Sequence, residues 1–149
     1  MWHNQAILTD ADVVLNGRLD ALKALVAETT QFCRENSLGD DAVAELNLVL
    51  EELFTNSIRH GGCAGMQNAV RIRLQLQDDG VHLEYSDRGV PYDPLRAPPP
   101  QLATPLEQRR LGGLGLHLVR QLVCDLEYRR DGNWNRITMR RPTESRRSV

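Results

Sequence analysis

The sequence predicts an α+β fold, a two-layer sandwich with helices on one face of a mixed, mostly antiparallel sheet. Three observations predict it. Apolar residues recur at helical spacing through two early segments. Further along they alternate with polar residues at period two, in segments that read as two hairpins. Helical and strand patterns come in runs rather than in strict alternation, which favours a sheet with its helices gathered on one side.

The elements follow in order. A short strand is expected near the start, at residues 6–9 or 13–15. Residues 19–36 read as a helix, because Leu19, Leu22, Leu25, Val26, Thr29, Phe32 and Cys33 fall on one face. The break from Asn36 to Asp41 offers an N-cap for a second helix over about residues 41–60. Its stripe is Val43, Leu46, Leu50, Leu53 and Ser57, and Gly61-Gly62 stops it. Val70, Ile72, Leu74 and Leu76 then alternate with polar residues, Asp78-Asp79-Gly80 turns the chain, and Val81, Leu83 and Tyr85 alternate back. Residues 91–105 hold six of the seven prolines and exclude both helix interior and central strand. A loop of that length in a small domain is a lid, a binding loop or a disordered segment. The run from Leu111 to Leu116 leads into an apolar helix through about Cys124. A last hairpin spans about 126–130 and 135–140 around Asp131-Gly132-Asn133. The reading is one domain over 1–141 and a frayed polar tail over 142–149.

Composition narrows the function. The chain has 149 residues, enough for one domain that buries its own core. Net charge is −2, so no strong positive field attracts nucleic acid or an anionic membrane. Aromatic residues make up 5%, too few for a base-stacking platform. No apolar run reaches the roughly 18 residues of a membrane span, and the start lacks a secretion signal. Cys33, Cys63 and Cys124 are an odd, widely spaced set, as in a cytoplasmic protein with reduced thiols. The four histidines show no metal-ligand spacing. Of 18 basic residues only Lys23 is a lysine, and it lies in an early helix, far from the patches below.

Three patches carry chemistry. The first runs from Glu51 to Gly61. Glu52 and Asn56 are four apart on a helix, so they project from one face about 6 Å apart along its axis. A carboxylate and an amide oxygen so placed can serve one hard cation and one water. Glu51 points about 100° away. The second patch is Asp87-Arg88-Gly89-Val90-Pro91, at the end of a strand. Its carboxylate can accept a hydrogen bond from an amino group such as that of adenine, and Gly89 lets backbone come close. The third is Gly112-Gly113-Leu114-Gly115-Leu116 before a helix, where backbone N–H groups can converge on phosphate. It is neither a Walker loop nor a Rossmann fingerprint. Singly, each patch is also what a solvated helix face, a strand-closing turn or an ordinary Gly-rich loop would contain.

Order and spacing change this. The series Glu52-to-Asn56, Asp87-to-Pro91, mobile loop, Gly113-Leu114-Gly115-Leu116 resembles the N box and the two glycine boxes of the GHKL ATPase superfamily. Within it the chain is most similar to the bacterial anti-sigma-factor serine kinases. Leu50-Glu51-Glu52-Leu53-Phe54-Thr55-Asn56-Ser57-Ile58-Arg59-His60-Gly61 resembles their N box, including the trailing His-Gly. Asp87-Arg88-Gly89-Val90-Pro91-Tyr92-Asp93-Pro94 resembles their first glycine box. Gly132-Asn133-Trp134-Asn135-Arg136-Ile137-Thr138-Met139 resembles their final Gly-Asn…Arg-Leu-Thr-Leu strand, loosened by an insertion.

The resemblance implies the Bergerat (GHKL) ATPase fold and an ATP/ADP site with Mg²⁺. Asn56 is then the Mg²⁺ ligand and Glu52 the general base. Asp87 binds the adenine amino group, with Gly89 beside it. Thr138 supports that carboxylate through water, and Gly113 and Gly115 present backbone to the phosphates. Residues 94–110 form the lid, from which Arg109 or Arg110 reaches the γ-phosphate. His60 is a structural or supporting residue. The implied protein is a cytoplasmic serine/threonine kinase and anti-sigma factor, acting as a homodimer. Its partners are an antagonist protein that accepts phosphate and a sigma factor or equivalent regulator. The alternatives are a non-catalytic nucleotide-gated binding module and an interaction module without nucleotide.

Overall fold

A computed structural model of the chain describes residues 9–96 and 113–143. Strand β1 (Thr9–Leu15) leads through a short 3-10 turn (Leu19–Ala21) into α1 (Leu22–Glu35) and then α2 (Asp40–Arg59). Strands β2 (Val70–Gln77) and β3 (Gly80–Asp87) form the first hairpin. A 3-10 turn (Pro94–Arg96) follows. Helix α3 (Gly113–Leu122) precedes the second hairpin, β4 (Cys124–Asp131) and β5 (Trp134–Pro142).

The five strands form one sheet in the order β1-β2-β3-β5-β4. Every pairing among them is antiparallel, where the sequence left room for a mixed sheet. Of the two candidate N-terminal strands, the one at 13–15 lies within β1, with Leu15 opposite Val70, and residues 6–8 of the other lie outside the described residues. The last helix ends earlier than expected: Cys124 already pairs with Arg140 in the sheet. Strand β5 runs to Pro142, which pairs with Gly80. Residues 97–112, which include Arg109, Arg110 and most of the expected lid, lie outside the described residues, as do 144–149 of the tail.

Period-two alternation explains the layers. Val70, Ile72, Leu74 and Leu76 of β2 are buried, as are Val81, Leu83 and Tyr85 of β3 and Ile137 and Met139 of β5. Their neighbours in sequence point to the other face, which carries ion pairs such as Arg71–Asp12 at 2.8 Å and Arg136–Glu84 at 2.9 Å. Helix α2 lies over the apolar face and buries Leu46, Val49, Leu50, Leu53, Phe54 and Ser57, a stripe at i+3 and i+4 spacing. Leu25 and Phe32 of α1 and Val119 of α3 complete the core. Helix α2 stops where Gly62 takes a positive φ of 78°, and the Cys63 N–H donates back to the Ser57 carbonyl at 3.1 Å. This stop delivers the C-terminal turn of α2 to one end of the sheet.

Candidate functional site

Asp87 is the last residue of β3. Counting in twos from Tyr85 puts it on the helix-covered face of the sheet. Val70, Asp87, Asn135 and Arg130 form one rung across four strands. The C-terminal turn of α2 lies above that rung.

The Asp87 carboxylate is held from three directions. Oδ1 accepts the Gly89 N–H at 3.0 Å and the Asn135 amide at 2.9 Å. Oδ2 accepts the Ser57 hydroxyl at 2.7 Å. Ser57 Oγ in turn lies 2.6 Å from the Tyr85 hydroxyl. A carboxylate has about four acceptor sites, so about one remains for an incoming donor.

Asn135 is 4% exposed and fully engaged. Its amide nitrogen donates to Asp87 and also to the Val90 carbonyl at 2.7 Å. Its oxygen accepts the Tyr128 hydroxyl at 2.6 Å and the Tyr92 N–H at 3.3 Å. One side chain thus fixes both the carboxylate and the backbone at residues 90 and 92. Arg130 adds a bond to the Gly89 carbonyl at 2.9 Å. The Val90 N–H donates to Gly61 O at 2.9 Å, which brings the loop against the end of α2. A Cβ on Gly89 would stand 2.2 Å from that same Gly61 oxygen, so this crossing needs glycine.

Glu52 and Asn56 share a face of α2, and both are half-buried. Burial raises the Glu52 carboxyl above its ordinary pKa. A hydrogen bond from Asn56 and the nearby charges of Arg59 and His60 oppose that rise. The amide nitrogen is the donor to Glu52, which leaves the Asn56 oxygen for another partner. Just past the end of α2, Cys63 is fully buried. Burial, and secondarily the Asp87 charge, push its thiol up to about 11, so it is inert at neutral pH.

The Asn56 oxygen and the Glu52 carboxylate are hard donors, of the kind a Mg²⁺ ion takes. Among the described residues no three His, Cys, Asp or Glu side chains gather to hold an ion. Mg²⁺ takes few protein oxygens and completes its shell with phosphates and water. The Asn56 oxygen beside the Glu52 carboxylate suits that role.

Asp87 bonds to Ser57 of α2 and Gly89 packs against Gly61 just past that helix, Glu52 and Asn56 lie on the same helix, and Gly113 and Gly115 lie in the first turn of α3. Thr138 does not reach Asp87. It pairs with Glu84 and Glu127, on the sheet face opposite Ile137 and Met139. A shift of one residue along a strand reverses the face, and the residue that does support Asp87 is Asn135. Arg109 and Arg110 lie outside the described residues. Sequence reasoning gave no role to Asn135, Tyr85 or Ser57. Their signal was available: each is a polar group at a core-facing position of its element, and such groups are rare without a partner.

Comparison with known proteins identifies the family of this fold. The description "Histidine kinase-like ATPase domain" fits residues 15–141, and the chain belongs to that family. It is 34% identical over 94 residues to the serine/threonine-protein kinase BtrW of Bordetella bronchiseptica, covering 63% of this chain and 66% of BtrW. It is 25% identical over 91 residues to the serine-protein kinase RsbW of Listeria innocua, covering 58% of each. The chain thus spans under two thirds of the length of these curated relatives. The solved RsbU and RsbW domains of a Mycobacterium tuberculosis protein share the fold at a TM-score of 0.65 and 15% identity, over 90% of this chain and 32% of that one. No helix among the described residues is long and apolar enough to cross a membrane.

Proposed function

We propose that the chain is an ATP- and Mg²⁺-dependent protein-serine/threonine kinase that works by partner switching. It phosphorylates a small antagonist protein and, in another state, sequesters a sigma factor or equivalent regulator. The observation that carries this reading is the Asp87 carboxylate, held by three donors with an acceptor site to spare, next to the turn of α2 that bears Glu52 and Asn56. Family membership and the two kinases it resembles support it.

In this reading Asp87 accepts the amino group of adenine. The Asn56 oxygen would hold Mg²⁺, whose chemistry when bound would be neutralisation of phosphate charge. Backbone at Gly113 and Gly115, in the first turn of α3, receives the phosphates. Glu52 is the general base. It takes the proton from the incoming serine hydroxyl while that oxygen bonds to the γ-phosphorus and the bond to ADP breaks. Its raised pKa brings it closer to the operating pH, which suits a base. Arg109 or Arg110 supplies charge to the γ-phosphate from the 94–110 segment. The working form is a cytoplasmic homodimer.

The test is to mix the protein with γ-labelled ATP and a candidate antagonist protein. Label should appear on a serine or threonine of the antagonist. Tight nucleotide binding with no transfer would favour a non-catalytic, nucleotide-gated binding module. No nucleotide binding would reject both.

A further inference from the structure

The inference concerns what holds Asp87, and it rests on the reading of Asp87 as receptor for the adenine amino group. Tyr85 is 1% exposed and Ser57 3%. Their hydroxyls and the Asp87 carboxylate form a continuous chain, with steps of 2.6 Å and 2.7 Å. The direction of the chain follows from proton counting. The carboxylate can only accept. Ser57 has one proton, and its short contact to a charged acceptor is the stronger use of it. The Leu53 carbonyl, 3.1 Å from both hydroxyls, is the weaker alternative. Tyr85 then donates to Ser57. Burial pushes its phenol well above the ordinary value, so it keeps its proton.

The chain has a mechanical consequence. Oδ1 is tied to the loop and to β5 through Gly89 and Asn135. Oδ2 is tied to α2 through Ser57. Rotation of the carboxylate is therefore fixed from both sides before any ligand arrives, which removes an ordering cost from binding. Ser57 also follows Asn56 directly, so one turn of α2 carries both the base-side and the metal-side contacts.

We infer that Ser57 and Tyr85 are positioning residues that set base selectivity: they fix the Asp87 carboxylate so that one acceptor site is left, and so favour purines bearing a 6-amino group. Neither needs to touch the nucleotide.

The test compares two ligands on the full chain by titration calorimetry with Mg²⁺. One is ATP. The other is purine riboside triphosphate, which lacks the 6-amino group. Wild type should prefer ATP. Ser57→Ala should weaken ATP about tenfold and leave the amino-free nucleotide within about twofold. Tyr85→Phe, which removes only the far hydroxyl, should move the same way by less, and it carries the test if Ser57→Ala does not fold. If the hydroxyls serve only to satisfy a buried phenol, both ligands lose equally or neither does, and the inference is overturned. A wild type that binds neither nucleotide sinks the adenine reading as well. A wild type that prefers ATP, with variants that keep the full preference, sinks only this inference.

Discussion

The two ends of the sheet treat buried polarity in opposite ways. At one end Asp87 is gripped by Ser57, Asn135 and Gly89, yet keeps an acceptor site. At the other, Arg141 of β5 is 3% exposed and meets Glu45 of α2 with its guanidinium nitrogens 2.6 Å from Oε2. Both ends tie α2 to the sheet. The far end pairs cation with anion and presents a closed contact. The near end holds a carboxylate through neutral donors and leaves an acceptor site open. A neutral grip preserves the ability to recognise a donor, whereas an ion pair spends it. This difference separates a site from a latch.

The comparison can be broken, and the largest effect should come from Glu52. Glu52→Gln should retain nucleotide and lower phosphoryl transfer by about 10²–10⁴-fold, read as labelled antagonist per minute. It should not destabilise the apo fold. The folded carboxyl has a raised pKa, so its contribution to stability is present at pH below the unfolded value and is lost as pH rises through the folded one. At neutral pH the charge is a small burden, and the glutamine variant should melt at the same temperature or slightly higher.

Next is the latch. Glu45→Ala leaves Arg141 buried without its carboxylate and should cost about 3 kcal/mol in urea unfolding. Nucleotide affinity below the melting transition should hardly change, because the ion pair lies at the far end of β5. Gly89→Ala should show the reverse balance. Its Cβ would fall 2.2 Å from Gly61 O, so the loop must shift, at about 1–3 kcal/mol. Affinity should fall by more than the melting temperature suggests, since the shift moves the Gly89 N–H away from Asp87.

The smallest effect belongs to the outer face of the sheet. The Arg71 guanidinium holds Asp12 below its usual carboxylate range. That stabilisation is present above the unfolded pKa and lost as pH falls through the folded one. The pair is exposed, so Asp12→Asn should change stability at neutral pH by no more than about 1 kcal/mol. A larger loss would mean that the outer face does more than stay solvated.

The parts legible in the sequence are those governed by period and by local chemistry. Helix stripes, alternating strands and the Gly61-Gly62 stop depend on neighbours in the chain, and they read correctly. Thr138 failed for a specific reason. The resemblance sets the last strand against a family pattern loosened by an insertion, while period two places Asn135, not Thr138, on the core face opposite Asp87. The Ser57–Tyr85 contact joins residues 28 apart in sequence, and its existence depends on where α2 crosses β3. No local pattern encodes that crossing.

The most direct measurement is the affinity of the wild type and of Asp87→Asn for Mg-ATP by calorimetry. The asparagine keeps the size of the side chain and removes the charge that the near-end donors surround. The account predicts that wild type binds and that the variant binds at least about tenfold more weakly while remaining folded. Equal affinity in the two proteins, or no binding by the wild type, would contradict it.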